Sequence, residues 1–213
     1  MSLPSFPTSL SQITLSQRIE YEELYGKELK ASRPEIGESI EYFFWIADAA
    51  CKALSFFSGE PLESIQTDYE LSQVINAYTA TLRVLLDEEA DIVIEESYEW
   101  DDETWYLVPP GNEKGTLDIT YETFVFYKSI IKDMMALSEG NWEVMPNLCA
   151  LYLRKEGETL DTILEIYEER RNLFMDLTMD IVLAVGVFLN DTMLDYIKSL
   201  GLPKDWQESI VLE

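Results

Sequence analysis

Histidine is absent from the 213 residues. With it go the Ser-His-Asp and Cys-His arrangements, the commonest general base near neutral pH, His-containing zinc sites and di-iron sites of the Glu-x-x-His kind. Cysteine is almost absent: Cys51 and Cys149 each stand in an apolar helical run, the setting of two buried, reduced thiols rather than a disulfide. Cations are scarce, with 15 Lys and Arg against 41 Asp and Glu, a formal charge of −26 and a pI near 4.1. Phosphate binding needs clustered cations, so specific nucleic-acid binding and attachment to an anionic membrane are excluded as expectations. The opening MSLPSFPTSLSQ lacks the basic and apolar regions of a signal peptide, and the longest apolar run, 181–189, is too short to span a bilayer. Missing too are a P-loop, a dinucleotide fingerprint, a Cys-x-x-Cys pair and a D-x-D-x-D-G calcium loop. Carboxylate pairs such as Asp101 with Glu103 are so abundant that none stands out for acid–base work. The expectation is therefore a non-enzymatic chain with no metal and no cofactor.

What is present is material for a core. Hydrophobic residues make up 47%, which separates this chain from acidic disordered sequences in spite of its charge. One stretch, 87–110, breaks the helical periodicity that prevails elsewhere. There Ile92, Ile94, Glu96, Tyr98 and Trp100 alternate with Val93, Glu95, Ser97 and Glu99 as a half-buried strand does. A polar turn over 101–104 then returns the chain, so that Trp100 faces Trp105 and Tyr98 faces Leu107. Ten carboxylates lie between Asp87 and Glu103, and no Lys or Arg between Arg83 and Lys114. The expected architecture is mainly α: one domain, a bundle of about seven helices. An extended arm (1–13) leads into helices over 14–86, and the acidic β-hairpin (87–110) precedes a second helical half (111–202) and a tail (203–213).

Thr14 with Gln17 predicts a capping box for a first helix to about Leu29, with Ile19, Leu24 and Leu29 apolar and Gly26 a weak point. Ile36, Ile40, Phe43, Ala47, Ala50, Leu54 and Phe57 predict a second helix, started by Pro34 and closed by Ser58, Gly59 and Pro61. Thr67 with Glu70 reads as another capping box, opening a third helix with Leu71, Val74, Tyr78, Leu82 and Leu85 on one stripe. Beyond the hairpin and a turn over 111–115, Thr120 caps a helix with Phe124, Tyr127, Ile131 and Met134 inward. Pro146 then starts a short helix, MPNLCALYLRK, whose Arg154 and Lys155 complement its C-terminal dipole. A helix over 160–176 turns Leu160, Ile163, Tyr167 and Phe174 inward, with Glu165, Glu168, Glu169, Arg170 and Arg171 mostly outside. The last helix, 178–200, is apolar nearly all round in IVLAVGVFL, a pattern for the centre of a core, with Gly186 permitting a close helix contact.

Five stretches together carry a resemblance: TLSQRIEYEELYGKEL (14–29), SFFSGEPLESI (55–65), YEWDDETWYLVPP (98–110), NLCALYLRKEGE (147–158) and FMDLTMDIVLAVGVFL (174–189). They resemble small acidic proteins of the structural gene modules of tailed bacteriophages, the crAss-like phages of gut bacteria in particular. The last two are also similar to a pattern in some phage tail assembly chaperones. The resemblance implies a ring or connector component of the neck or tail, made in the host cytoplasm and resident in the virion. Its partners would be portal, neck or tail subunits and copies of itself. The alternatives are a tail assembly chaperone that leaves before maturation, and an acidic DNA mimic that blocks a host nucleic-acid enzyme. For the ring, a negative surface keeps passing DNA from sticking, and apolar arms suit head-to-tail closure. Candidate contact residues are accordingly Leu3, Phe6 and Leu10 on the arm, Glu95, Glu96, Glu99, Asp101, Asp102 and Glu103 on the hairpin, and Trp206 in the tail.

Overall fold

The computed structural model describes residues 2–34, 40–86, 92–109 and 121–199, apart from the side chains of 121–127, 196, 197 and 199. Ile36, Asp87 to Asp91, Pro110, the 111–115 turn, Thr120 and the tail with Trp206 lie outside these residues, as do the side chains of Phe124 and Tyr127. The fold is mainly α with one small antiparallel sheet, and the chain forms two compact units, Met1–Asp91 and Ile92–Glu213.

In the first unit the expected capping box is present. The Thr14 hydroxyl accepts from the Gln17 N–H at 3.2 Å, and the Gln17 side chain accepts from the Thr14 N–H at 3.0 Å. It opens α1 (Leu15–Tyr21), which runs through a π-helical turn (Glu22–Gly26) into α2 (Lys27–Ala31). The extra residue of a π turn rotates the faces beyond it relative to a regular helix. Leu15, Arg18, Tyr21, Glu22 and Leu29 are buried, whereas Leu24, expected inward, is 53% exposed. Helix α3 (Ile40–Ser58) buries only its second half, where Ala49, Ala50, Ala53 and Leu54 let α5 (Leu71–Ala77) approach closely. Ile40 and Phe43, expected on the same inner stripe, are exposed along with Phe44. The stripe has helical spacing throughout, but its first members face solvent, while Trp45 and Ile46 on the same turns pack against the unit.

Thr67 does not cap a helix. It sits inside α4 (Leu62–Asp68), where its hydroxyl donates back to the Glu63 carbonyl at 2.9 Å. Glu70 holds the cap position of α5 without a side-chain bond, and Leu71 is exposed. From α5 the chain passes a second π turn (Tyr78–Leu82) into α6 (Arg83–Leu86), burying Val74, Tyr78, Leu82 and Leu86. The Thr79 hydroxyl donates to the Ile75 carbonyl at 2.8 Å, competing with the backbone ladder where that π turn begins. Leu3 and Phe6 pack against this unit's own core, and Leu10 is half-buried in a short 3₁₀ turn (Leu10–Gln12).

The second unit opens with β1 (Tyr98–Trp100) and β2 (Glu103–Leu107), followed by α7 (Tyr121–Ser138), α8 (Met145–Tyr152) and β3 (Leu153–Arg154). Then come α9 (Leu160–Glu165), α10 (Tyr167–Leu173) and α11 (Met179–Ser199). Pro146 occupies the first turn of α8 as expected, and this short helix buries Met145, Leu148, Cys149, Ala150 and Tyr152 in the unit's core, as α11 buries most of 181–189. It touches both α10 and α11. Helix α11 keeps Val182, Ala184, Val185 and Leu189 buried while Val187 is partly exposed. Among the described residues a Cβ added at Gly186 meets nothing within 4 Å, so no close contact with them depends on that glycine. Both cysteines are buried free thiols, and burial raises the pKa of each.

Candidate functional site

The hairpin is shorter and tighter than its alternation implies. Only Tyr98–Trp100 is strand in its first arm, and Val93, at 74% exposure, lies outside the sheet. Asp101 and Asp102 have φ of +55° and +59°, the left-handed pair of a two-residue type I′ turn, which matches the twist of the flanking strands. The shorter turn moves the register by two residues: Tyr98 pairs with Trp105, Glu99 with Thr104 and Trp100 with Glu103. Trp100 and Trp105 still meet, diagonally, at 6.2 Å between ring centroids, and the Trp105 indole N–H donates to the Trp100 carbonyl at 3.0 Å. Tyr98 is buried, and its hydroxyl accepts the Glu95 N–H at 2.9 Å, which ties the incoming chain to β1. Burial, more than any other influence, raises the Tyr98 pKa.

The hairpin's second edge is closed. Antiparallel to β2, β3 places Tyr106 opposite Arg154 and Leu107 opposite Leu153, and the Val108 N–H donates to the Tyr152 carbonyl at 2.9 Å. Residues 153–154, expected as the end of a helix, are extended because Leu153 leaves α8 with β backbone angles and finds its partner in β2. Arg154 keeps the dipole role expected of it, its Nε donating to the Leu151 carbonyl at 3.1 Å. Lys155 instead reaches the hairpin, 3.0 Å from the Glu103 carboxylate and 4.9 Å above the Trp105 ring.

Arg170 corrects the sequence reading most sharply. Expected on the solvent face, it is 3% exposed. Its two terminal nitrogens grip both oxygens of Glu158 at 2.8 Å, one also donates to the Leu153 carbonyl at 2.7 Å, and the guanidinium lies 4.9 Å over Trp105 and 5.5 Å over Phe174. Phe174 completes the cluster, 5.0 Å from Trp105 and 5.8 Å from Trp100. Burial pushes the Glu158 carboxyl up, but hydrogen bonds from Arg170 and from the Lys155 N–H outweigh it and leave the pKa lowered. The signal for this site was available: Ile163, Tyr167, Arg170 and Phe174 step by four, three and four, so Arg170 falls on the inner stripe.

Above this clasp, Glu95, Glu96, Glu99, Asp101, Asp102 and Glu103 are all exposed. The arm residues Leu3 and Phe6 are partly buried against the core of their own unit. Among the described residues no group of three or more Cys, Asp or Glu converges as a metal cage, and no helix is long and apolar enough to cross a membrane. The hairpin thus presents carboxylates to solvent, while beneath it Trp105 lies against the buried Arg170 guanidinium. In comparison with known proteins, no family model, no curated protein sequence and no solved structure matches the chain.

Proposed function

We propose that the chain is a non-enzymatic structural component of a tailed-phage virion, a ring or connector subunit of the neck or tail that works through protein–protein contacts. The observation that carries this reading is the hairpin surface: six exposed carboxylates along the hairpin and the chain entering it, with Lys155 on Glu103 and Arg170 beneath Trp105, in a chain of charge −26. Such a surface repels phosphate and leaves a passing duplex unbound, while its bracing keeps it presented in one orientation to a neighbouring portal, neck or tail subunit. The resemblance over five stretches supplies the phage setting. Mass spectrometry of purified particles of the encoding phage tests the proposal, with many copies per particle expected. Complete absence from mature particles rejects it.

One observation favours a second reading. Ile40, Phe43 and Phe44 on the first turns of α3 are 68%, 48% and 62% exposed, an apolar face of the kind a tail assembly chaperone offers a client. Recovery of the chain with tail proteins from assembling lysates, but not from particles, supports that role instead.

A further inference from the structure

Within the first unit a pocket of about 90 Å³ opens among Arg18, Glu22, Lys30, Arg33, Trp45 and Tyr78. Its walls draw on both π-helical turns, Glu22 from one and Tyr78 from the other. Such turns are rare and occur disproportionately at functional sites. The electrostatics are equally out of character for the chain: among the described residues Arg18, Lys30 and Arg33 line the pocket with Glu22 as the one carboxylate, in a protein whose acids outnumber its bases 41 to 15. Glu22 already shows what these cations accept. Its buried carboxylate lies 2.7 Å from the Lys30 ammonium and 3.6 Å from the Arg18 guanidinium. Among the described residues Arg33 has no carboxylate partner; its guanidinium lies 5.4 Å over Trp45. The inner groups are fixed, because Arg18 Nη2 donates to the Leu86 carbonyl and the Trp45 indole to the Leu29 carbonyl, both at 2.9 Å. Lys30 and Arg33, both exposed, stand where a ligand enters.

We propose that this pocket binds one small oxyanion, a carboxylate or phosphate group, held between Lys30 and Arg33 with Arg18 as a fixed positive charge behind it. The volume is several times what one water needs, and the guanidinium fork of Arg33 matches the two oxygens of such a group. The group can come from a free anion or from an acidic side chain of a second copy of the chain. This inference does not depend on the virion role.

The test is titration of the full chain with sodium phosphate at constant ionic strength. The readout is the Trp45 indole N–H resonance, assigned by its loss in Trp45→Phe. We expect a saturable shift with a Kd at or below about 1 mM, weakened at least tenfold in Arg33→Gln and in Lys30→Gln. Arg33 is exposed and makes no ion pair among the described residues, so circular dichroism of Arg33→Gln should match the parent; Lys30→Gln also takes a partner from buried Glu22, so its affinity counts only once its spectrum matches too. A shift that rises linearly without saturating, or equal affinity in the two variants, overturns the proposal. Light scattering during the same titration separates the sources: oligomers that phosphate dissociates identify a carboxylate of a second copy, and an unchanged mass identifies a free anion.

Discussion

Arg170 and Glu158 illustrate how one side chain can join several elements. A buried guanidinium is costly unless its donors are met, and here Glu158 takes two and the Leu153 carbonyl takes another, so α10, β3 and the 155–158 turn are joined through a single residue. Glu158→Gln keeps the shape and removes the charge, so a loss of about 2 kcal/mol is expected at neutral pH. The pH dependence follows from the lowered pKa. Folded Glu158 holds its proton less tightly than unfolded Glu158, so its contribution is complete above the ordinary value of 4.5 and is lost as pH falls through the folded value. Urea unfolding of parent and variant from pH 7 to pH 3 should therefore show the two converging at the acid end. A gap that stays constant with pH would mean that the carboxylate charge plays no part. Gly26 poses a second question at the same scale, because a Cβ there meets the Glu22 carboxylate. Alanine gains up to about 1 kcal/mol of helix propensity, yet it displaces a buried carboxylate from Arg18 and Lys30, a loss of about 3 kcal/mol. Gly26→Ala should be net destabilising by about 2 kcal/mol. In a Glu22→Ala background the same change should become stabilising, and denaturant titration of all four proteins decides it.

Among the elements, the hairpin turn has the most room for improvement. Aspartate at two successive positive-φ positions is strained, and the two charges repel; asparagine then glycine is the preferred pair for a type I′ turn. Asp101→Asn with Asp102→Gly should stabilise the protein by about 1 kcal/mol, read as a higher midpoint in denaturant with an unchanged slope. A lower midpoint would show that the aspartates make contacts that the turn geometry does not reveal. This turn also marks where sequence reading ran out. Alternation located the hairpin, but period two is indifferent to a slip of two residues, so the loop length, and with it the pairing of Tyr98 with Trp105, was not legible. Helices with strong capping and steady spacing, such as the one Thr14 opens, were readable. Departures came where spacing alone could not say what lay opposite: Ile40 and Phe43 keep the stripe yet are exposed, and the two-residue strand β3 is too short for any periodicity. The exposed carboxylates of the site were legible because unpaired charges stay in water. Arg170 was legible only as a position on the inner stripe: its partner Glu158 lies twelve residues away in a turn that no periodicity reaches.

For the whole molecule, the dominant quantity is a charge of −26 that any self-assembly must overcome. At 0.01 M salt the Debye length is about 30 Å and copies repel across most of their surfaces; at 0.15 M it is about 8 Å and only facing charges matter. Self-association should therefore rise with salt, and the hairpin, as a dense exposed block of acid, should govern where the rise begins. Glu95→Gln, Glu96→Gln and Glu99→Gln together test this without disturbing the sheet. The Tyr98 hydroxyl receives its bond from the backbone of residue 95, and a glutamine at 99 can still accept from the Thr104 hydroxyl as Glu99 does at 2.8 Å. Stability should stay within about 0.5 kcal/mol of the parent. Light scattering across a sodium chloride series should find the triple variant associating at lower salt than the parent. If instead it unfolds, the carboxylates belong to the architecture of the hairpin; if both proteins show one mass at every salt concentration, the acidic turn does not set the association of this chain with itself.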